Sequence, residues 1–358
     1  MNPTPVFRRL SAILPGLVLV LALAVSIYNP QGMGTFLQDQ VFDVYQRILP
    51  REPGPLGTNA VYIDIDAETA KTHGAWPWPR KRLDDLVERV RDAGASAIVI
   101  DMPLAEADPT SANELIRLWS PFPADGNFAG LGQALAQLPN HERQLTALLA
   151  STNSVVSFVP GKTDYSGRHE PSRAAGIDPE GGDPRHYMTS HDTWRPTLKI
   201  FEAAAKGNGA TLPAGARGTT VRGLPMLVDL DGALHPSNVL EALRVSAGGS
   251  GYRAQVATPE SGFSFEIEPG IERVAIDGTP FAARTWKNGE LRLYFGGEET
   301  RRRIPAGRIL AGTADLEALN QRIAVIGVSA NGSDRLYMTP AGVSMPSGAI
   351  AANAIDQI

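Results

Sequence analysis

The sequence predicts an α/β protein: a mixed, partly parallel sheet flanked by helices, with β-hairpin additions, preceded by one transmembrane helix. Three observations carry this. A strand, a helix and an apolar strand succeed one another between residues 61 and 101, the signature of a βαβ unit, whose two strands are expected to form a parallel pair with a right-handed crossover. Asp231-Gly232 and Asp277-Gly278 are the dipeptides that two-residue hairpin turns favour. Leu10 to Tyr28 runs without a charged residue.

That last stretch holds nineteen residues, which at ~1.5 Å each span about 28 Å, close to the hydrocarbon thickness of a bilayer. Arg8 and Arg9 precede it, and no Lys or Arg follows until Arg47. The positive-inside rule then sets residues 1–9 in the cytoplasm, a signal anchor over 10–28 and the rest outside. Ala22-Leu23-Ala24 also suits signal-peptide cleavage, and a buried apolar helix shares the composition. The uncleaved anchor is the reading adopted, with both rivals open. Residues 29–57 then form a juxtamembrane helix and linker. Phe36, Val41, Phe42, Tyr45 and Leu49 give an amphipathic helix over 33–49, and Pro50 to Gly57 is rich in Pro and Gly. Residues 58–358 form one extracytoplasmic domain.

Within that domain Val61 to Asp66 alternates, with Val61, Ile63 and Ile65 facing one way and Tyr62, Asp64 and Asp66 the other. Leu83, Leu86, Val87 and Val90 recur at helical spacing over Lys81 to Ala93, and Gly94 stops the helix. Ala97 to Ile100 is a continuous apolar strand closing on Asp101. Helices are expected over 111–119 and 140–151, and a third strand over 154–159. Gly161 to Thr193 is polar and reads as a long surface loop. A helix over 196–206 follows, with Lys206-Gly207-Asn208-Gly209 as its C-cap. Residues 221–235 suggest a hairpin, and Ser237 caps a helix running to Ala247. Residues 262–296 are β-rich, Arg322 to Ser329 is an apolar strand, and a helix begins near Ala349.

Composition narrows the function. An apolar fraction of 43% with 20% charged residues supports a folded core. A net charge of −5 lacks the basic face that nucleic acid requires. Arg301, Arg302 and Arg303 beside Glu298 and Glu299 read as a solvated, ion-paired loop. The chain has no cysteine, which removes disulfides, thiolate catalysis and Cys-based metal centres. It contains no zinc-protease, phosphate-loop, nucleophile-elbow or kinase motif, so neither catalytic machinery nor a cofactor is expected.

The candidate ligand site is the C-terminal edge of the βαβ strands, where open α/β sheets bind ligands. Asp64, Asp66 and Asp101 lie there, and Asp334 and Arg335 follow another apolar strand. Clustered carboxylates suit a hard cation or a cationic ligand, and Arg80 or Arg335 offers a bidentate anion contact. The metal, if any, is not identified. The competing reading is structural, because an Asp after a strand commonly caps the next helix or pairs with an Arg. Trp76 and Trp78 supply an aromatic wall or, on the other reading, pack a loop onto the core. His186 and His191, with Asp183 and Asp192, have a spacing that does not suit one helix face.

Taken in order, these residues carry a resemblance. Ile63-Asp64-Ile65-Asp66 precedes Trp76-Pro77-Trp78-Pro79-Arg80, and the strand ending at Asp101 comes after. Then follow Asp229-Leu230-Asp231-Gly232, Leu293-Tyr294-Phe295-Gly296-Gly297, Ile323 to Gly327, Asp334-Arg335, Thr339-Pro340, Met345-Pro346 and Ala352-Asn353-Ala354. Over residues 35–358 the chain resembles the second type of CHASE domain, the extracellular sensory module associated with cyclases and histidine kinases. Ala351 stands where that family has a histidine, and residues 105–195 carry no specific match. The resemblance implies a receptor of the bacterial inner membrane, single-pass over this chain and with its bulk in the periplasm. It also implies a homodimer and a cytoplasmic output domain beyond this chain, such as an adenylate or guanylate cyclase or a kinase. The stimulus is an unidentified small molecule or protein. The alternatives are a periplasmic interaction module with no small ligand and a metal-assisted periplasmic enzyme.

Overall fold

The computed structural model describes residues 33–49, 51, 59–119, 130–161, 169–212, 220–257, 269–296, 303–330 and 336–358, with Gly16 and Val20. In chain order these form α1 (Met33–Ile48), β1 (Ala60–Ile65), α2 (Ala67–His73), α3 (Arg80–Asp92), β2 (Ala97–Ile100), α4 (Ala112–Trp119), α5 (Leu131–Ala136) and α6 (His141–Ser151). Then come β3 (Ser154–Pro160), β4 (Ile177–Glu180), β5 (Ser190–His191), β6 (Trp194–Arg195), α7 (Lys199–Ala204), β7 (Gly207–Ala210), β8 (Gly223–Pro225), β9 (Leu227–Leu230), β10 (Ala233–Pro236) and α8 (Asn238–Ala247). The remainder is β11 (Tyr252–Ala257), β12 (Gly270–Ile276), β13 (Ala282–Arg284), β14 (Glu290–Arg292), β15 (Arg303–Pro305), α9 (Ala306–Leu310), β16 (Ile323–Val328), β17 (Leu336–Met338), β18 (Ser344–Pro346) and α10 (Ser347–Ile355).

The main sheet runs β15-β1-β16-β2-β3, parallel throughout. Beyond β3 lie parallel β7 and, at its far end, antiparallel β6. β1 and β2 are parallel, as the βαβ pattern predicts, but they are not neighbours. β16 lies between them and bonds to both, with Ile323 opposite Ala60 on one side and Ala97 on the other. Its residues Ile323 to Gly327 are all buried, which suits a central slot covered on both faces. β1 is likewise buried at all six positions. Its alternation therefore sorts residues between two covered layers and not between core and water. Val61, Ile63 and Ile65 pack with Leu83, Leu86 and Val90 of α3, Leu145 and Leu149 of α6 and Ile309 of α9. Tyr62 packs on the opposite face with residues of α8 and α10. The result is a three-layer α/β arrangement.

The smaller sheets enlarge the α8 layer. β9 and β10 form the hairpin expected at Asp231-Gly232, whose φ values of 48° and 87° suit a primed turn. β12 and β13 pair across the Asp277-Gly278 region. β4 adds in parallel to β11, and β5 to β9. Residues 169–193 are thus not one continuous loop: β4, β5 and a 3₁₀ turn at Pro184–Tyr187 lie in them. Their partners, β9 and β11, lie far away in sequence, so no local alternation announces them.

Gly207-Asn208-Gly209 also departs from its expected role as a cap. It forms β7, buried at every position. A Cβ on Gly209 would stand 2.5 Å from the Asn238 Cα, and one on Gly207 would stand 2.6 Å from Glu241 Oε2. The glycines are there because α8 lies directly against this strand.

Apart from Gly16 and Val20, the 10–28 segment lies outside the described residues. Among the described residues no helix is long and apolar enough to cross a membrane.

Candidate functional site

The C-terminal edge of the sheet holds two buried carboxylates. Asp64, at the end of β1, accepts from Tyr62 Oη at 2.9 Å, from the Ser329 amide at 3.1 Å and from Ser329 Oγ at 2.7 Å. Arg303 Nε lies 2.7 Å from its other face. Burial, the largest influence, raises the Asp64 pKa, against the lowering effect of Ser329 and Arg303. The Tyr62 hydroxyl is pushed well upward by burial and then by the Asp64 charge.

Asp66 has the structural role. Its carboxylate accepts from the Thr69 amide at 2.8 Å, capping α2, and takes the second arm of Arg303 at 2.9 Å. One guanidinium therefore bridges the Asp64 carboxylate of β1 and the Asp66 carboxylate that caps α2. Arg303 is solvated and ion-paired, as expected, but it lies in a strand and not in a loop: β15 sets it beside β1, opposite Tyr62.

Asp101 follows β2 and is 2% exposed. Its Oδ1 accepts from Thr211 Oγ1 at 2.5 Å and from Asn238 Nδ2 at 2.7 Å, and its Oδ2 accepts from Ser347 Oγ. Asn238 and Ser347 are the first residues of α8 and α10. A single carboxylate thus ties two helix N-termini, where negative charge is favoured. A Cβ on Gly348 would meet Tyr62 Cε2 at 2.6 Å and Asp101 Oδ2 at 3.4 Å. The first turn of α10 therefore rests on both Tyr62 and Asp101.

Arg80 stands apart from this cluster. As the first residue of α3 it donates its amide to Asp108 Oδ2 at 2.7 Å and its guanidinium to the Glu106 carbonyl at 2.6 Å, above the Phe201 ring. Burial lowers its pKa. Asp334 and Arg335 lie outside the described residues. The structure therefore brings Asp64, Asp66 and Asp101 to one sheet edge, each on partners from the chain itself, and leaves Arg80 in another layer. Trp78 is core, 2% exposed, with Nε1 donating to the Gly74 carbonyl at 2.6 Å. Among the described residues no group of three metal-ligating side chains is assembled.

A second constellation was not legible in the sequence. Gln46 of α1 is 2% exposed. It donates Nε2 to the Leu293 carbonyl at 2.8 Å and accepts from the Phe295 amide at 2.8 Å. Gln357, just beyond α10, accepts from the amide of the intervening Tyr294 at 3.0 Å and donates to its carbonyl at 3.3 Å. Asp43 binds Arg222 through both oxygens at 2.8 Å. Arg292 pairs with Asp39 at 3.0 Å and lies over the Phe42 ring at 3.8 Å. Asp356 closes the junction, accepting from the Asn59 and Ala60 amides at 2.6 and 3.0 Å and, through its carbonyl, from Arg51 at 3.1 Å. The only local signal was polarity inside an amphipathic helix, at Asp39, Asp43 and Gln46.

No curated protein and no solved structure matches the chain. The CHASE2 domain profile does match, over residues 17–358. A CHASE2 domain is an extracellular sensory domain of signalling receptors and not a catalytic one. With nearly its whole length inside that match, the chain belongs to the CHASE2 domain family.

Proposed function

We propose that this chain is the periplasmic sensor of a homodimeric receptor in the bacterial inner membrane. The 10–28 segment anchors it, with residues 1–9 in the cytoplasm. It relays an external stimulus to a cytoplasmic output domain, a class III nucleotide cyclase by first preference or else a kinase. The observation that carries the reading is the shared strip at Leu293, Tyr294 and Phe295. Gln46 of the juxtamembrane helix grips the first and third of these backbones, and Gln357 grips the second. A displacement of either helix is thereby felt by the other, which is the physical content of coupling. Asp101 and Tyr62 hold the opposite end of α10, so they fix the frame against which that helix moves.

Hydrogen exchange on the full chain in lipid nanodiscs tests the relay. Gln46→Ala is expected to speed amide exchange in residues 352–358 as well as at the strip. A change confined to residues 33–49 and 293–295 would show that α1 and α10 are mechanically independent, and the relay would be abandoned.

A further inference from the structure

α1 presents two faces of different character. Asp39, Phe42, Asp43 and Gln46 engage the chain's own domain through the ion pairs, ring contact and hydrogen bonds given above. The opposite face carries Leu37, Val41, Val44, Tyr45 and Ile48, each 48 to 70% exposed. Leu37, Val41, Val44 and Ile48 follow steps of four, three and four residues, the a/d spacing of a helix that packs on another helix. An open apolar cleft of about 650 Å³, walled by Val41, Tyr45, Trp286 and Tyr294, continues this strip onto the domain.

We infer that this strip is the seam of a parallel two-helix contact with α1 of a second copy of the chain. The inference rests on the membrane-anchored reading above, since anchors of the same polarity bring the two helices together side by side and in register. Charge supports a second copy as occupant. A symmetric seam sets each residue near its own equivalent, so like charges on it repel. No seam position is charged, and Asp39, Asp43 and Arg47 are each bound to the chain's own domain. A bilayer surface fits less well. Interfacial helices carry Lys and Arg on their polar face, whereas α1 has two Asp and one Arg. Sixteen residues make only about two heptads, a contact too short to hold alone in dilute solution. Two tethered copies meet at the raised effective concentration that a shared membrane provides.

This chain has no cysteine, so its single-Cys variants make the test direct. Single Cys replacements at Leu37, Val41, Val44 and Ile48 are oxidised in native membranes, with Phe36→Cys and Thr313→Cys as exposed controls. Disulfide-linked dimer is expected at the four seam positions and not at the controls. Val44→Asp, which sets two carboxylates against each other across the seam, is expected to lower the Ile48→Cys yield by about tenfold with an unchanged thermal midpoint, because the Val44 side chain lies on the exposed face of α1, 52% exposed. Equal yields at all six positions overturn the seam. So does a strip that fails to cross-link and is shielded from a water-soluble maleimide, which would assign it to the bilayer. Neither result bears on the exchange coupling between α1 and α10, so failure of the seam and failure of the relay are separately visible.

Discussion

Asp101 joins three parts of the chain through two oxygen atoms. Thr211 closes β7, Asn238 opens α8 and Ser347 opens α10. Truncation to alanine would leave these donors facing a buried void, and a buried donor without a partner costs about 1–3 kcal/mol. Asp101→Ala is therefore expected to lose roughly 3–5 kcal/mol, because three buried donors lose their acceptor at once. Asp66→Ala removes a helix cap and a half-exposed ion pair and is expected to lose about 1 kcal/mol. Urea denaturation of the two variants checks this, and equal losses would remove Asp101 from its role as a tie. The position of both residues after β-strands was legible in the sequence, and so was the prospect that such an Asp caps a helix or meets an Arg. Which Arg was not legible: Arg303 is 237 residues from Asp66, and only the pairing of β15 with β1 brings it there. Asp101's partners are equally remote, 110 to 246 residues away, so no local pattern could name them.

Elements defined by neighbours in sequence were legible, and elements defined by neighbours in space were not. The β9-β10 hairpin announces itself because its turn needs two residues at positive φ, and Asp-Gly supplies them. Ser237 announces α8 as its N-cap, its Oγ accepting from the Leu240 amide at 3.3 Å. β7 gives no such sign, because Gly-Asn-Gly has poor strand propensity. What selects it is the close approach of α8, invisible until α8 is placed. The two kinds of glycine separate experimentally. Gly209→Ala drives a methyl into the backbone of Asn238, and overpacking of this kind costs about 1–3 kcal/mol or more. Gly312 has φ of 72° with open space around it, so Gly312→Ala is expected to cost only about 1 kcal/mol of backbone strain. Thermal midpoints of the two variants decide; a Gly209→Ala midpoint at or above that of Gly312→Ala would mean that α8 yields to the added methyl.

At the scale of the whole molecule the sequence gives the layers but not the strand order, since the slot of β16 between β1 and β2 is a long-range choice. It also hides two buried titrating groups that act against each other. Glu241 of α8 is fully buried, and burial pushes its pKa from 4.5 up to about 7, against the opposing pull of Arg244 at 2.6 Å. His235 of β10 is fully buried, and burial, then Arg173, pushes its pKa from 6.5 down to about 4, against Glu170 at 3.4 Å. Between pH 4.5 and 6.5 the folded state holds a proton on Glu241 that the unfolded chain releases, so this group's contribution is complete below 4.5 and is lost as pH rises towards 7. Over the same window the unfolded chain protonates His235 and the folded state does not, so its contribution is present above 6.5 and is lost as pH falls towards 4. Each slope is at most about 1.4 kcal/mol per pH unit, and the two are opposite in sign. Relative to the wild-type curve, Glu241→Gln is expected to lose stability on acidification from pH 6.5 to 4.5, and His235→Phe is expected to gain it. Asp64 and Glu202, whose pKa values burial also raises, are common to all three proteins and cancel in the difference. Parallel curves of thermal midpoint against pH would mean that neither group keeps its charge state inside the fold, whereas curves that diverge in opposite directions assign each slope to its residue.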